Sequence, residues 1–244
     1  MAHSHALYPS CCDECAWLAR MATQYSTSMK RPFVIALLGA ESTGKSQLAN
    51  GLAKALCSGG RSVQLVSEYL REWCELHGRV PLQSEQSAIA KAQSDRIQAS
   101  SERGFDVVIA DTTAVMTAVY SDYVFEDRGV YADAIGVHKI YDLTLLMGLD
   151  VPWVADGIQR DGPHVRDAVD SLIRQALQKS GISAPTIYGL GESRLQVALT
   201  IVYQAMQTQQ AEPALINRSV WRHCCDCCGD GECERRSVQL LQRG

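Results

Sequence analysis

The sequence predicts an α/β fold: a mostly parallel, five-stranded sheet between layers of helices. Three observations predict it. Short, nearly all-apolar runs alternate with longer amphipathic stretches, the pattern of strands buried on both faces and joined by crossover helices. The first apolar run leads directly into Gly39-Ala40-Glu41-Ser42-Thr43-Gly44-Lys45-Ser46, a glycine-bearing turn that opens a helix. Two later runs exit into acidic residues, Glu68 and Asp111, as strands do where an open parallel sheet forms a crevice at its carboxyl edge.

The elements follow in order. Phe33 to Leu38 reads as the first strand, ended by Gly39. Lys45 to Cys57 carries Leu48, Leu52, Ala55 and Leu56 on one side and stops at Gly59-Gly60, as a helix does. Ser62 to Val66 is the second strand, followed by a helix over 68–77. A longer helix covers 83–103, entered after Pro81, anchored by Ile89 and Ile97, and broken by Gly104. Asp106 to Ala110 is the third strand, with Asp111 at its exit. Residues 112–140 are helical in pieces, interrupted around Gly129, and Leu143 to Met147 is the fourth strand. Pro152, Gly157, Gly162 and Pro163 mark 150–163 as a loop with turns. Val165 to Lys179 is an amphipathic helix, Ala184 to Tyr188 the fifth strand, and Ser193 to Gln207 the last helix.

Composition bounds the function classes. With 244 residues, 46% hydrophobic and 20% charged, the chain is an ordinary globular one. Its net charge of -4, from 23 basic and 27 acidic residues, argues against a general nucleic-acid binder, whose surface must neutralise phosphates. No apolar run is long enough to cross a bilayer. Met1 to Ser10 lacks the basic-then-apolar order of a secretory signal. A cytoplasmic protein without membrane insertion is expected, and nothing in the pattern specifies an oligomer. Residues 31–210 form the expected domain. Residues 1–30 and 211–244 are expected to be Cys-rich extensions, because most of the ten cysteines lie near the two ends.

The turn at 39–46 matches G-x-x-x-x-G-K-[ST] at every fixed position and lies between a strand and a helix, the context that phosphate binding requires. Glycines let the backbone curl around phosphates, and its N–H groups then point inward beside the positive end of a helix. Gly39, Glu41, Ser42, Thr43, Gly44, Lys45 and Ser46 are thus the candidate nucleotide contacts. Lys45 can reach the β- and γ-phosphates of ATP, and the Ser46 hydroxyl can bind Mg2+. Glu41 would repel a triphosphate if it pointed inward. It is expected to turn outward, toward Mg-bound water, an acceptor or neighbouring backbone.

Asp111 leaves a buried strand at the crevice, where it can bind Mg2+ or take the proton of an attacking hydroxyl. Its alternative role is to cap the helix that follows. Glu68 and Arg71 are three apart and share a helix face. They can hold a polar acceptor or form a plain surface salt bridge, while Glu72 faces elsewhere. After the fourth strand, Arg160 and Arg166 suit a segment that closes over a transferring phosphoryl group and excludes water. Trp153 can stack on a planar base or anchor that segment. These features describe a phosphotransferase of the P-loop nucleoside-triphosphate hydrolase/kinase fold.

The chain resembles the ribosylnicotinamide kinase domain of the bacterial NadR family, in the P-loop ATPase/kinase group. The resemblance rests on the 39–46 loop, Glu68-Tyr69-Leu70-Arg71-Glu72, Asp111-Thr112, and Pro152-Trp153-Val154-Ala155-Asp156-Gly157, and covers about residues 33–207. It implies ATP-dependent phosphorylation of the 5′-hydroxyl of nicotinamide riboside. It places Glu68, Arg71, Asp111, Trp153 and Asp156 around this nucleoside, and Arg160 and Arg166 over the phosphates. Longer family members also carry adenylyltransferase and repressor domains. Only residues 1–32 precede the first strand and H-x-G-H is absent, so neither of those activities is expected here.

The cysteine groups depart from that family. Cys11-Cys12-x-x-Cys15 and Cys224-Cys225-x-Cys227-Cys228 contain C-x-x-C spacings. Cys12, Cys15, Cys224, Cys225, Cys227 and Cys228 can share a soft metal, zinc in a four-coordinate site first among the choices. An iron–sulfur cluster and a metal-free thiol-rich tail are the alternatives. Cys57 and Cys74 are expected to be partly buried small apolar groups. Two rival functions stand beside the kinase for nicotinamide riboside. One is a P-loop kinase for another nucleoside or a vitamin precursor. The other is an ATP-dependent switch that orders the metal-binding tails for a partner. No guanine-reading N-K-x-D stretch is present, which disfavours a GTP switch.

Overall fold

The computed structural model describes residues 31–154 and 163–215. Its elements run β1 (Phe33–Leu38), α1 (Lys45–Ser58), β2 (Val63–Val66), α2 (Tyr69–His77), a 3-10 turn (Gln83–Glu85), α3 (Gln86–Ser101) and β3 (Val107–Asp111). They continue with α4 (Ala114–Phe125), α5 (Tyr131–His138), β4 (Leu143–Met147), α6 (Pro163–Lys179), β5 (Thr186–Ile187) and α7 (Gly191–Leu215).

The five strands form one sheet in the order β2-β3-β1-β4-β5, every pair parallel. β1 is central and buried at every position, so it reads as an unbroken apolar run rather than an alternating one. Its register places Ala36 beside Ala110 and Leu37 beside Asp111. The exits of β1 and β3 are therefore neighbours. The chain leaves β1 for β2 on one side of the sheet and leaves β3 for β4 on the other. This reversal opens the crevice at which parallel α/β sheets bind ligands.

Packing fixes which helices flank that crevice. Leu38 and Leu146 pack with residues of α4 and α6, among them Val115, Val119, Val169 and Ile173. Val34, Val66 and Val108 pack with Ile97 of α3. α1 lies against β1, β2 and β3 and buries Leu48, Leu52 and Leu56.

The structure departs from the sequence expectations at several ends. The helix expected over 83–103 begins as a 3-10 turn, because the Glu85 carboxylate accepts from Leu82 N at 2.7 Å and pairs with Arg79. β5 is shorter than 184–188. Pro185 has no N–H for the ladder and contributes only its carbonyl, to Leu146 N. Gly189 then turns the chain away with φ 99°. The last helix runs past Gln207 to Leu215, carrying Pro213 near its end although that residue has no N–H for the helix. Cys74 is buried as expected, but Cys57 is exposed, one residue beyond Leu56 and turned off the apolar face.

The chain divides into two compact units, residues 1–200 and 201–244. In the second, the described residues are the rest of α7, where Thr208 Oγ1 donates to Gln204 O at 3.0 Å. Among the described residues, no helix is long and apolar enough to cross a membrane.

Candidate active site

The loop between β1 and α1 is held in a tight curl. Ser42 and Gly44 take left-handed conformations, φ 54° and 79°. Thr43 Oγ1 donates to Ala40 O at 2.8 Å. Lys45 Nζ folds back to donate to Gly39 O at 2.7 Å and Ala40 O at 3.0 Å. Gly39 has no room for a side chain, since a Cβ there would stand 2.7 Å from Met147 Cβ. Any other residue would push the loop away from β4. Glu41 is buried and lines the same cavity as Ser46.

Two arginines brace the surroundings. Arg194, in the first turns of α7, is 5% exposed. Its Nη1 donates to Thr43 O at 2.8 Å, and its Nη2 to Gly148 O at 3.3 Å and Ile187 O at 3.1 Å. One guanidinium thus ties the phosphate loop to the ends of β4 and β5. Burial holds Arg194 below its ordinary arginine pKa, a drop that Asp150 opposes and Arg166 adds to. Arg166 donates to Val151 O at 2.9 Å and Leu149 O at 3.3 Å. It lies behind the segment that follows β4 and is not among the cavity-lining residues. The sequence reading put it over the phosphates; in this structure its guanidinium bonds the carbonyls of the segment after β4.

That segment docks on the loop. Ser42 Oγ donates to Val154 O at 3.1 Å and accepts from Val154 N at 2.8 Å. Val151, Pro152 and Val154 line the cavity and Trp153 does not. Asp156 and Arg160 lie outside the described residues. So do Cys12, Cys15, Cys224, Cys225, Cys227 and Cys228. Among the described residues, no cluster of three or more His, Cys, Asp or Glu could hold a metal ion.

At the β3 exit, Asp111 Oδ1 and Thr112 Oγ1 are buried without a hydrogen-bond partner among the described residues. Thr112 has φ 92°. For a β-branched residue this conformation costs on the order of 1–3 kcal/mol and marks a site held in place by its neighbours. One such neighbour is Gln93, whose Nε2 donates to Thr112 O at 3.3 Å and whose Oε1 accepts from Tyr69 N at 2.7 Å. Asp111 does not cap the following helix. That role falls to Thr113, whose Oγ1 accepts from Val115 N.

At the β2 exit, Glu68 and Arg71 both line the cavity and stand 3.9 Å apart. The salt bridge of the sequence reading is formed, on the wall of the cavity. Glu72 turns away to Arg96 at 2.7 Å and Ser67 at 2.8 Å. Those two partners, Arg96 first, hold its carboxyl below the usual range.

The phosphate loop, Glu68, Arg71, Thr112 and the segment after β4 line one cavity of about 680 Å³. Its polar end is the phosphate loop from Glu41 to Gln47, and its apolar walls include Leu70, Val80, Met116, Tyr120 and Phe125. The sequence reading missed Gln93 and Arg194. Arg194 did leave a signal: a cation in the first turn of a helix is unfavourably placed unless something accepts from it.

A protein-family model described as an AAA domain matches residues 34–194. The chain belongs to the AAA domain family. It is also related to the trifunctional NAD biosynthesis/regulator protein NadR. The NadR proteins of Salmonella typhimurium (strain LT2) and Escherichia coli (strain K12) are each 28% identical over 167 residues, 65% of this chain and 40% of theirs. The chain therefore spans about 40% of the length of these relatives. Among solved structures, NadR protein in complex with NR aligns with a TM-score of 0.63 at 17% identity, over 79% of this chain and 59% of that one. Thymidylate kinase from Ehrlichia chaffeensis aligns with a TM-score of 0.52 at 17% identity, over 70% and 98%. The AAA domain here thus has the P-loop kinase-like fold.

Proposed function

We propose that this AAA-domain protein is a nucleoside kinase that uses Mg-ATP to phosphorylate the 5′-hydroxyl of nicotinamide riboside, giving nicotinamide mononucleotide. One observation carries the reading: the phosphate loop, Thr112 (the residue after Asp111), and the Glu68–Arg71 pair line a single cavity with an apolar wall of Leu70, Val80, Met116 and Phe125. The relation to NadR supports the choice of acceptor.

The residues fit the nucleotide and its metal. Lys45, Ser46 and the backbone of 41–46 would hold ATP, whose γ-phosphoryl group is what is transferred. Ser46 and Asp111 would hold Mg2+ between them. Asp111 has a buried oxygen with no partner among the described residues, available to Mg-bound water or to the acceptor hydroxyl. It orients that hydroxyl and takes its proton late in the transfer, since phosphoryl transfer needs positioning and charge stabilisation more than a strong base. Lys45 moves from the loop carbonyls to the phosphoryl oxygens as charge develops on them. Glu68 and Arg71 bind the ribose end of the acceptor. Asp156 joins them, and Arg160 contributes over the phosphates. Residues 31–210 make up the kinase domain, flanked by 1–30 and 211–244, with the protein working in the cytoplasm.

The test is an acceptor screen. Purified protein with Mg-ATP is offered nicotinamide riboside and a panel of other nucleosides, and ADP formation and product mass are followed. Preferential phosphorylation of nicotinamide riboside is expected. Faster transfer to another nucleoside would reassign the acceptor, and no transfer to any would remove the kinase reading.

A further inference from the structure

The apolar end of the cavity contains one polar side chain that the chemistry above does not use. Gln86, the first residue of α3, is 4% exposed and lines the cavity. Its amide makes no hydrogen bond among the described residues. Gln93 lies two turns further along the same face of α3 and is 2% exposed. Gln93 spends its amide on backbone groups of Ser67, Tyr69 and Thr112. Two glutamines on one helix face are therefore equally buried, one satisfied by the protein and the other not.

An amide that lines a cavity and bonds no protein group keeps a donor and an acceptor for whatever fills that cavity. The walls around Gln86 show what it could meet. Met116, Tyr120 and Val124 recur every four residues on one face of α4, and Leu70 and Cys74 do so on α2. These make a surface for a flat apolar body. The charged groups and the serine hydroxyl that would suit a phosphate or a sugar are Lys45, Ser46, Glu68 and Arg71. A ring seated against those walls presents its edge, and an amide side chain can both donate to and accept from a polar group on that edge.

We infer that Gln86 is a specificity-determining residue that reads the carboxamide of a planar ring held at the apolar end of the cavity. The inference rests on the acceptor assigned above. Nicotinamide riboside has such a ring, and a riboside whose ring lacks the carboxamide would leave Gln86 unsatisfied. Sites built to hydrogen-bond a substrate group discriminate strongly against analogues that lack it.

The experiment compares wild type with Gln86→Met, which keeps the shape and removes both hydrogen-bonding groups. Initial rates are measured with nicotinamide riboside and with the unsubstituted pyridine riboside, each at saturating ATP. KM for ATP and the melting temperature are recorded for both proteins. Gln86→Met should raise KM for nicotinamide riboside at least about tenfold, leave the unsubstituted riboside within about twofold, and leave KM for ATP unchanged. If Gln86→Met does not fold, Gln86→Asn, which withdraws the amide by one carbon, is measured on the same pair. Equal effects on the two ribosides, or no effect on either, would overturn the inference while the acceptor assignment stands. Wild-type protein that phosphorylates neither riboside would overturn both.

Discussion

At the scale of single residues, the site is polar chemistry set at the ends of apolar strands. Lys45 shows how sequence and position combine. Its ammonium is a cation at the positive end of a helix, and in the structure it rests on two loop carbonyls. Lys45→Ala should leave the melting temperature nearly unchanged and lower phosphoryl transfer by more than about a hundredfold. Near-normal turnover in a folded Lys45→Ala protein would remove Lys45 from the chemistry. Asp111 is the complementary case. Its buried carboxylate oxygen has no partner among the described residues, so it is held at a cost to stability. Asp111→Asn should therefore melt at the same temperature or higher while kcat falls by about 10²–10⁴. A loss of both stability and activity together would mark Asp111 as structural.

Elements decide whether these residues meet. The phosphate loop is shaped from below by Arg194 of α7, which reaches Thr43, Gly148 and Ile187 at once. A lysine cannot replace that fork, because a single ammonium lacks the planar spread of donors. Arg194→Lys should destabilise by on the order of 2–4 kcal/mol, measured by urea unfolding. It should also raise KM for ATP more than KM for the acceptor, since the loop it shapes is the nucleotide's. An unchanged KM for ATP would show that the loop keeps its curl without the clamp. On the other side of the crevice, Gln93 of α3 joins the exits of β2 and β3 and holds Thr112 in its strained conformation. Neither residue lies in a motif. Each matters because of the strand ends that the fold brings within its reach.

The sheet as a whole sets the pH response. His138, at the end of α5, is 2% exposed. It bridges Thr113, the cap of α4, and Thr144 of β4, at 3.0 Å and 2.8 Å. Burial pushes its pKa down to about 4 from an ordinary 6.5. The folded protein thus keeps His138 neutral where the unfolded chain takes up a proton. Its contribution to stability is complete above about pH 6.5, is lost as pH falls toward about 4, and changes no further below that. The loss amounts to about 3 kcal/mol at most. His138→Gln keeps an amide between the two threonines and removes the titration. Urea unfolding across this range should show a weaker acid dependence for His138→Gln than for wild type, and identical profiles would exclude His138 as the source. Ligand linkage is the second readout at this scale. A Mg-bound, non-hydrolysable ATP analogue at a hundred times its Kd should stabilise the fold by about 2.7 kcal/mol, visible as a raised melting temperature.

The order of strands and helices could be read from the chain because both signals are local. Apolar runs and glycine stops report burial and chain reversal within a few residues. The positions of the 39–46 loop, Glu68 and Arg71, and Asp111 at strand exits were legible for the same reason, since each stands where an apolar run ends. The errors were also local in origin. Pro185 cut β5 short through a missing N–H, and the helix after 83 began as a 3-10 turn because Glu85 bonds back to Leu82. What the chain could not show is which distant groups face one another. Arg166 follows a loop that reads as a lid, and its guanidinium meets the carbonyls of Leu149 and Val151. Arg194, Gln93 and Gln86 carry no motif, and their partners or lack of partners arise from packing across long stretches of sequence. Residue type and spacing determined that this protein builds a phosphate-binding crevice. Tertiary packing decided which polar groups around it are bonded within the protein and which are not, because hydrogen-bond satisfaction depends on three-dimensional neighbours.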